Sequence, residues 1–281
     1  MTLTDKFLEL HKHLENNPDV ETQIKCLIEN APQSSESDGL RALMYHEGIG
    51  YPADLDKCFE LAERATEGGD PLGYFLLGFM CDNAETPDQE HGGPRQKYDH
   101  YDAERFYAGC AGIESVWRPY AVLWLGDYYF DSAQGGDPEI AVEYLESIAE
   151  DNSEAAGRLS DYYWDLIMPL YIEDDEWRAQ LFKWTSVAAR LSPEDYSYRM
   201  GWLYADGLGC EKSFEKSFDF FQEAFLNGDK KGAEAIAKIY EEYLEETPEL
   251  SDTEKMKCRK EIDYWKNLSN VDNPASVKGE C

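Results

Sequence analysis

The sequence predicts an all-α fold of stacked antiparallel helix pairs, because a helical phrase recurs and alternating strand patterns are nearly absent. The phrase is an apolar residue, a small residue, two further residues and then a usually aromatic residue. That last position falls at residues 45, 81, 129, 163, 204 and 240. Spacings of this size are typical of helical solenoids, in which each unit buries its apolar face only against its neighbours.

Each unit is predicted to contain two helices, and the phrase lies on the first of them, helix A. Its small residue lets a neighbouring helix approach closely, so we expect the glycines among these positions to be packing sites rather than hinges. The small residues of the six units are Ala42, Gly78, Gly126, Ser160, Gly201 and Ala237.

The second helix of each unit, helix B, is predicted from apolar residues that share one helical face. In the first unit these are Leu55, Cys58, Phe59, Ala62 and Ala65. In the fifth unit they are Phe218, Phe221, Ala224 and Phe225. Both segments are followed by glycine-containing turns, where the chain is expected to reverse.

The predicted organisation is one continuous array. Residues 1–30 form a diverged N-terminal helix pair that caps the array, with Leu3, Phe7, Leu10 and Leu14 as one apolar stripe. Residues 31–268 hold about six repeats, with an insertion at 83–100. Residues 269–281 are poor in apolar side chains and are predicted to be a disordered tail.

The fifth unit carries the most complete motif. It reads Met200-Gly201-x-x-Tyr204-x-x-Gly207-x-Gly209 and ends in Asn227-Gly228-Asp229. The first unit keeps the corresponding Tyr45, Gly48, Gly50, Ala65 and Gly69-Asp70. These motifs resemble the Sel1-like repeat family, a branch of the tetratricopeptide-like superfamily, over roughly residues 38–268. The resemblance implies a right-handed superhelical solenoid that serves as a protein-binding scaffold with helix A on its concave side. It implies no catalytic residues, so we expect a protein that is not an enzyme.

Charge is the second strong signal. The chain has 58 acidic and 26 basic residues, for a formal net charge of −32. Fifteen of the acidic residues lie between Val122 and Trp177, where the only base is Arg158. Such a surface repels nucleic-acid phosphates and anionic lipid headgroups and attracts basic partners. We therefore expect a basic protein or peptide as partner, and neither a nucleic acid nor a membrane.

The candidate partner-binding residues are extra aromatic side chains on helix A and the carboxylates near them. Ion pairs and cation–π contacts would suit them to lysine- and arginine-rich segments. They are Tyr120, Trp124, Asp127, Tyr128, Asp131, Asp161, Tyr162, Asp165, Trp202 and Asp206. Two plainer interpretations stay open: the acidity serves solubility, and the aromatic rings pack between adjacent helices.

Cysteine and histidine usage favours a cytoplasmic protein without a cofactor. The seven cysteines form no Cys-x-x-Cys pair, and the N-terminus shows no signal-peptide pattern. The five histidines show no metal-binding spacing, although His91 and His100 lie in the 83–100 insertion. We expect no metal site and no catalytic residue.

Four functional hypotheses remain at this stage. The leading one is a cytoplasmic adaptor that binds a basic protein or peptide, and a narrower version is an immunity protein that neutralises a basic toxin such as a nuclease. The third is a purely structural scaffold, and the fourth is a metal-assisted enzyme that uses the insertion. The sequence indicates neither the identity of the partner nor the oligomeric state.

Overall fold

A computed structural model describes residues 1–14, 17–85, 98, 101–131, 136–168 and 173–270. These residues form fourteen α-helices and no β-strand. The predicted all-α fold class is therefore confirmed. Most of the 83–100 insertion and residues 271–281 of the predicted tail lie outside the described residues.

After an N-terminal pair, the helices follow the predicted order of helix A and helix B. The N-terminal pair is α1 Leu3–His11 and α2 Pro18–Glu29. The A helices are α3 Ser35–Glu47, α5 Pro71–Asp82, α7 Arg118–Phe130, α9 Ser153–Ile167, α11 Pro193–Asp206 and α13 Lys231–Glu246. The B helices are α4 Leu55–Glu67, α6 Asp102–Ala111, α8 Pro138–Glu146, α10 Asp175–Leu191, α12 Phe214–Leu226 and α14 Asp252–Leu268.

The chain divides into two compact units, Met1–Tyr144 and Leu145–Cys281. In the first unit α3 packs on α4, α4 on α5, α5 on α6 and α6 on α7. In the second unit the same succession of contacts joins α9 through α14. Within each unit, helices consecutive in sequence are thus neighbours in space, which is how a repeat buries its apolar face.

Glycine ends helix A where the repeat motif is most complete. Gly48 and Gly207 follow α3 and α11 in the left-handed region, with φ of 75° and 70°. The second glycine of each turn, Gly50 or Gly209, also has a positive φ, of 70° and 71°. Side-chain-bearing residues adopt this region at a cost, so the Gly-x-Gly turns are a backbone requirement.

The small residues of helix A contact large side chains of helix B, as the packing hypothesis requires. A β-carbon added at Gly78 would lie 3.1 Å from the ring of Tyr107 on α6. One added at Gly201 would lie 2.5 Å from the ring of Phe221 on α12. On the predicted apolar face of α4, Cys58, Phe59, Ala62 and Ala65 are buried, whereas Leu55, the first residue of the helix, stays 40% exposed.

Polar N-caps start most of the helices. The side chains of Ser34, Asp54, Asp70 and Asn152 each accept a hydrogen bond from a backbone N–H of the first turn. Capping of this kind satisfies backbone donors that have no partner inside the helix. The N-terminal pair is built in the same way, and Phe7 of α1 and Ile24 and Ile28 of α2 are fully buried.

Candidate functional site

Five of the predicted partner-binding residues form a single stripe on α7 and at its C-cap. Tyr120, Trp124 and Tyr128 follow one another at intervals of four residues, and Asp127 and Asp131 each come three residues after one of these rings, so all five lie on one face of the helix. Tyr120 is 59% exposed, Asp127 is exposed, and the other three are half-buried. We call these five residues, together with Asp82 of α5, the α7 surface.

The aromatic side chains of the α7 surface belong to a longer series of ring contacts within the first unit. Trp124 is stacked on Tyr107 at 4.4 Å and on Tyr128 at 5.0 Å between ring centroids. Tyr120 meets the edge of Phe75 at 6.2 Å. Trp124 therefore has a ring on both faces and is a packing residue. Tyr120 lies at one end of the series, which continues beyond Tyr128 to Tyr129 and Tyr144.

Two carboxylates hold these rings in place. The indole N–H of Trp124 donates to Asp82 Oδ2 at 3.0 Å, and the Tyr129 hydroxyl donates to the Glu104 carboxylate. Burial, and then the hydrogen bond to Glu104, raises the pKa of Tyr129 above its usual range. The tyrosine thus stays neutral at physiological pH and keeps donating, which fixes its ring between those of Tyr128 and Tyr144.

In the second unit, Asp161, Tyr162 and Asp165 lie together on α9, but an internal cation occupies this surface. Arg199 Nη1 is 2.6 Å from Asp161 Oδ1 and 2.7 Å from Ser160 Oγ. The guanidinium lies over Trp164, 4.9 Å from the ring centroid. The buried hydroxyls of Ser160 and Thr185 are 2.7 Å apart and complete this network.

The remaining two predicted residues, Trp202 and Asp206, lie one turn apart on α11. Lys238 Nζ is 4.6 Å from the ring centroid of Trp202, and the Trp202 ring packs edge-on against Phe221 at 5.3 Å. Burial raises the pKa of Asp206 most, and the nearby Glu242 raises it further, whereas Lys238 and Lys212 lower it. This carboxylate is part of a mixed-charge cluster.

The sequence analysis missed the residues that complete these surfaces. Phe75, Tyr107 and Glu104 support the α7 surface from α5 and α6, and Arg199 and Lys238 cover the aromatic rings of the second unit. A one-dimensional pattern shows that such residues exist on a helix face but not which distant ring or carboxylate they contact. No motif could have found Arg199.

Metal binding and thiol reactivity depend on how the His, Cys, Asp and Glu side chains are arranged in the part of the chain that the structure describes. No group of three or more His, Cys, Asp and Glu side chains within it is arranged to hold a metal ion. His91 and His100, the pair considered from the sequence, lie outside it. Cys26, Cys58, Cys110, Cys210 and Cys258 form no disulfide, and burial raises the pKa of the Cys58 and Cys110 thiols to about 12, which makes these two thiols unreactive.

None of the helices within the described ranges is both long and apolar enough to cross a membrane.

Three segments of the chain match the model of the Sel1 repeat, at residues 39–70, 119–153 and 195–229. They coincide with the first, third and fifth units of the sequence analysis. No curated protein sequence matches the chain significantly.

Two crystal structures share the fold. A Sel1 repeat protein from Oxalobacter formigenes superposes with a TM-score of 0.54 and 18% identity, covering 94% of this chain and 98% of that one. A protective antigen present in uropathogenic Escherichia coli strains, which displays an SLR fold, gives a TM-score of 0.51 and 16% identity. That match covers 83% of this chain and 53% of the antigen.

Proposed function

Because this chain carries three Sel1 repeats, we propose that it is a non-catalytic scaffold that binds a basic protein or peptide. Sel1 repeats are commonly protein-interaction modules, and the net charge of −32 selects for a cationic partner. The narrower proposal of an immunity protein against a basic toxin rests on the same charge, and no described contact favours it over an adaptor.

The observation that carries this proposal is the α7 surface. It presents aromatic and carboxylate side chains on one helical face, and tyrosine and tryptophan are the residues that contribute most to binding at protein interfaces. A lysine or arginine placed beside Tyr120 or Tyr128 can combine a cation–π contact with an ion pair to Asp127 or Asp131. Phe75 and Tyr107 support the surface from behind, so its rings are ordered before a partner binds.

Unpaired thiols support a reducing compartment, which is the basis for proposing a cytoplasmic location. Cys26, Cys58, Cys110, Cys210 and Cys258 form no disulfide, and Cys58 and Cys110 are deeply buried. Disulfides are rare in a reducing cytosol. Cys281 lies outside the described residues.

The test measures binding of a fluorescent peptide rich in lysine and arginine by anisotropy. Replacing Tyr120 and Tyr128 together by Ala removes both tyrosine rings of the α7 surface, so the affinity should fall about fivefold to tenfold. Tyr101→Ala is the matched control, since Tyr101 is 82% exposed in the same unit but lies outside the α7 surface. Because Tyr128 also contacts Trp124, the Tyr120→Ala variant is measured alone as well, with the melting temperature of each protein. Equal affinity for wild type, Tyr120→Ala and the double variant would reject the α7 surface.

A further inference from the structure

The second unit contains a small cleft that none of the preceding contacts uses. It lies between α11, α12 and α13 and has a volume of about 60 Å³. Its apolar walls are Ala205, Phe214, Ile239 and Tyr243. Phe214 and Tyr243, with ring centroids 5.4 Å apart, are 37% and 38% exposed. We call it the α12–α13 cleft.

The polar groups of the cleft are arranged in two layers. Ser217 lines it and is fully buried, and its hydroxyl has no hydrogen-bond partner among the described residues. Three charged residues, Glu242, Glu246 and Lys212, also line the cleft and keep access to solvent. A buried hydroxyl without a partner is costly, so its position in an open cleft points to a ligand atom that would satisfy it.

The existing contacts of the rim show which chemistry it accepts. Lys212 Nζ lies 3.3 and 3.4 Å from the two carboxylate oxygens of Glu246. Lys238 Nζ lies 3.6 Å from Glu242 Oε1. Both rim carboxylates thus already attract ammonium groups. The Lys212 pair is well exposed and contributes little to stability, so an incoming ammonium can displace it at small cost.

We propose that the α12–α13 cleft takes the end of one lysine side chain of the basic partner, an inference that rests on the proposed function. The aliphatic stem of that lysine packs between Phe214 and Tyr243. Its ammonium has three donors, which match the hydroxyl of Ser217 and the carboxylates of Glu242 and Glu246.

Arginine fits the cleft less well. Its guanidinium is planar and has five N–H donors in a fixed fork. The fork can pair with the rim carboxylates, but it is wider than an ammonium, so in a cleft of about 60 Å³ it leaves the buried hydroxyl of Ser217 without a partner, which costs free energy. Lysine selectivity over arginine is therefore the signature of this cleft, since the net acidity of the chain attracts both side chains equally.

The test compares octalysine with octaarginine, two peptides of equal charge, by isothermal titration calorimetry. We expect octalysine to bind wild type more tightly. Ser217→Val fills the cleft and removes the hydroxyl, so octalysine should bind about tenfold more weakly while the affinity for octaarginine is unchanged. Ser217→Ala removes the hydroxyl without filling the cleft, so its affinity for octalysine should lie between those of wild type and Ser217→Val. Neither variant should melt below wild type, since each removes a buried hydroxyl that lacks a partner.

Charge is tested separately on α13. Glu242→Gln should weaken octalysine binding about threefold, whereas the matched control Glu245→Gln, on the same helix but outside the cleft, should not. Octalysine binding that ignores Ser217→Val, or equal affinity of wild type for the two peptides, rejects the cleft and leaves the basic-partner proposal intact. Failure of wild type to bind either peptide rejects both.

Discussion

The α7 surface of the first unit and the α9–α11 region of the second arise from the same sequence phrase, yet they differ in what covers them. Arg199 and Lys238 lie over Trp164 and Trp202 in the second unit. In the described part of the first unit, no cation lies over Trp124 or Tyr128, whose rings contact other aromatic side chains instead.

An acidic and aromatic composition therefore does not by itself define a binding surface. In the second unit the protein's own cations make the contacts that a basic partner would make, so they compete with it there. In the first unit the rings are braced by neighbours and remain accessible at Tyr120, which is 59% exposed. We therefore propose that the principal contact with a basic partner lies on the α7 surface.

Removing the cation of Arg199 tests this difference between the two units most directly. Arg199→Met leaves Asp161 and the buried Ser160–Thr185 pair without their guanidinium partner, so the free energy of unfolding should fall by about 2 kcal/mol. Urea denaturation measures this. The control Arg190→Met loses an exposed hydrogen bond to the Glu150 carbonyl and an exposed ion pair with its side chain, and should change stability by less than about 1 kcal/mol. The Arg199→Met protein should also bind basic peptides more tightly, and unaltered stability would refute the network.

The small residue of helix A is packed more tightly in the second unit, at Gly201, than in the first unit, at Gly78. Gly201→Ala places a methyl group 2.5 Å from the Phe221 ring and should destabilise the protein by about 1–2 kcal/mol. Gly78→Ala meets the Tyr107 ring at 3.1 Å, and the gain in helix propensity offsets much of the strain, leaving it within about 1 kcal/mol of wild type. Thermal melts of both variants decide the point, and the reverse order would show that the glycine contacts are misassigned.

Substitutions at two pairs of carboxylates distinguish long-range attraction of a basic peptide from direct contact with it. Asp127→Asn with Asp131→Asn, and Asp161→Asn with Asp165→Asn, each remove two negative charges. Both should slow association of a basic peptide to a similar extent and flatten its salt dependence, because the Debye length is about 8 Å at physiological ionic strength. Only the α7 pair should also speed dissociation, about twofold to fivefold. Stopped-flow kinetics measures both rates for each double variant. Equal dissociation rates for the two double variants would mean that the α7 carboxylates only attract the peptide and do not contact it.

The smallest expected effect is a pH dependence shared by both units. Burial raises the pKa of Asp70 in the first unit to about 6, although the N–H groups of Leu72 and Gly73 donate to it, and burial also raises the pKa of Asp206 in the second. A carboxyl group with a raised pKa binds its proton more tightly in the folded state. Its contribution to stability is therefore lost as the pH rises through the raised pKa and is regained on acidification.

The measurement compares wild type with Asp70→Asn, which keeps the N-cap of α5. Between pH 7 and pH 5 the wild type should gain stability relative to this variant. The comparison cancels the general relief of acidic repulsion, which affects both proteins alike. Parallel stability curves over that interval would mean that Asp70 titrates normally.

The helices of this protein and the places where they begin and end follow from the order of its amino acids. Helix periodicity, N-caps and the Gly-x-Gly turns depend on residues a few positions apart, so they could be identified without the structure, and the all-α prediction is confirmed. The stripe of Tyr120, Trp124 and Tyr128 on α7 also follows from periodicity alone. The first turn of α4 was an exception, since the apolar pattern could not show that Leu55 lies at an exposed helix end.

Which of these side chains are covered, and which residues cover them, depends on how the helices pack. Arg199 reaches Asp161 across two helices, Lys238 reaches Trp202, and Asp82 receives the indole N–H of Trp124. The lone hydroxyl of Ser217 in the α12–α13 cleft is likewise invisible in the sequence. Each of these contacts joins residues far apart in the chain. Their energies depend on distance and burial in the packed helices, and the order of residues along the chain fixes neither.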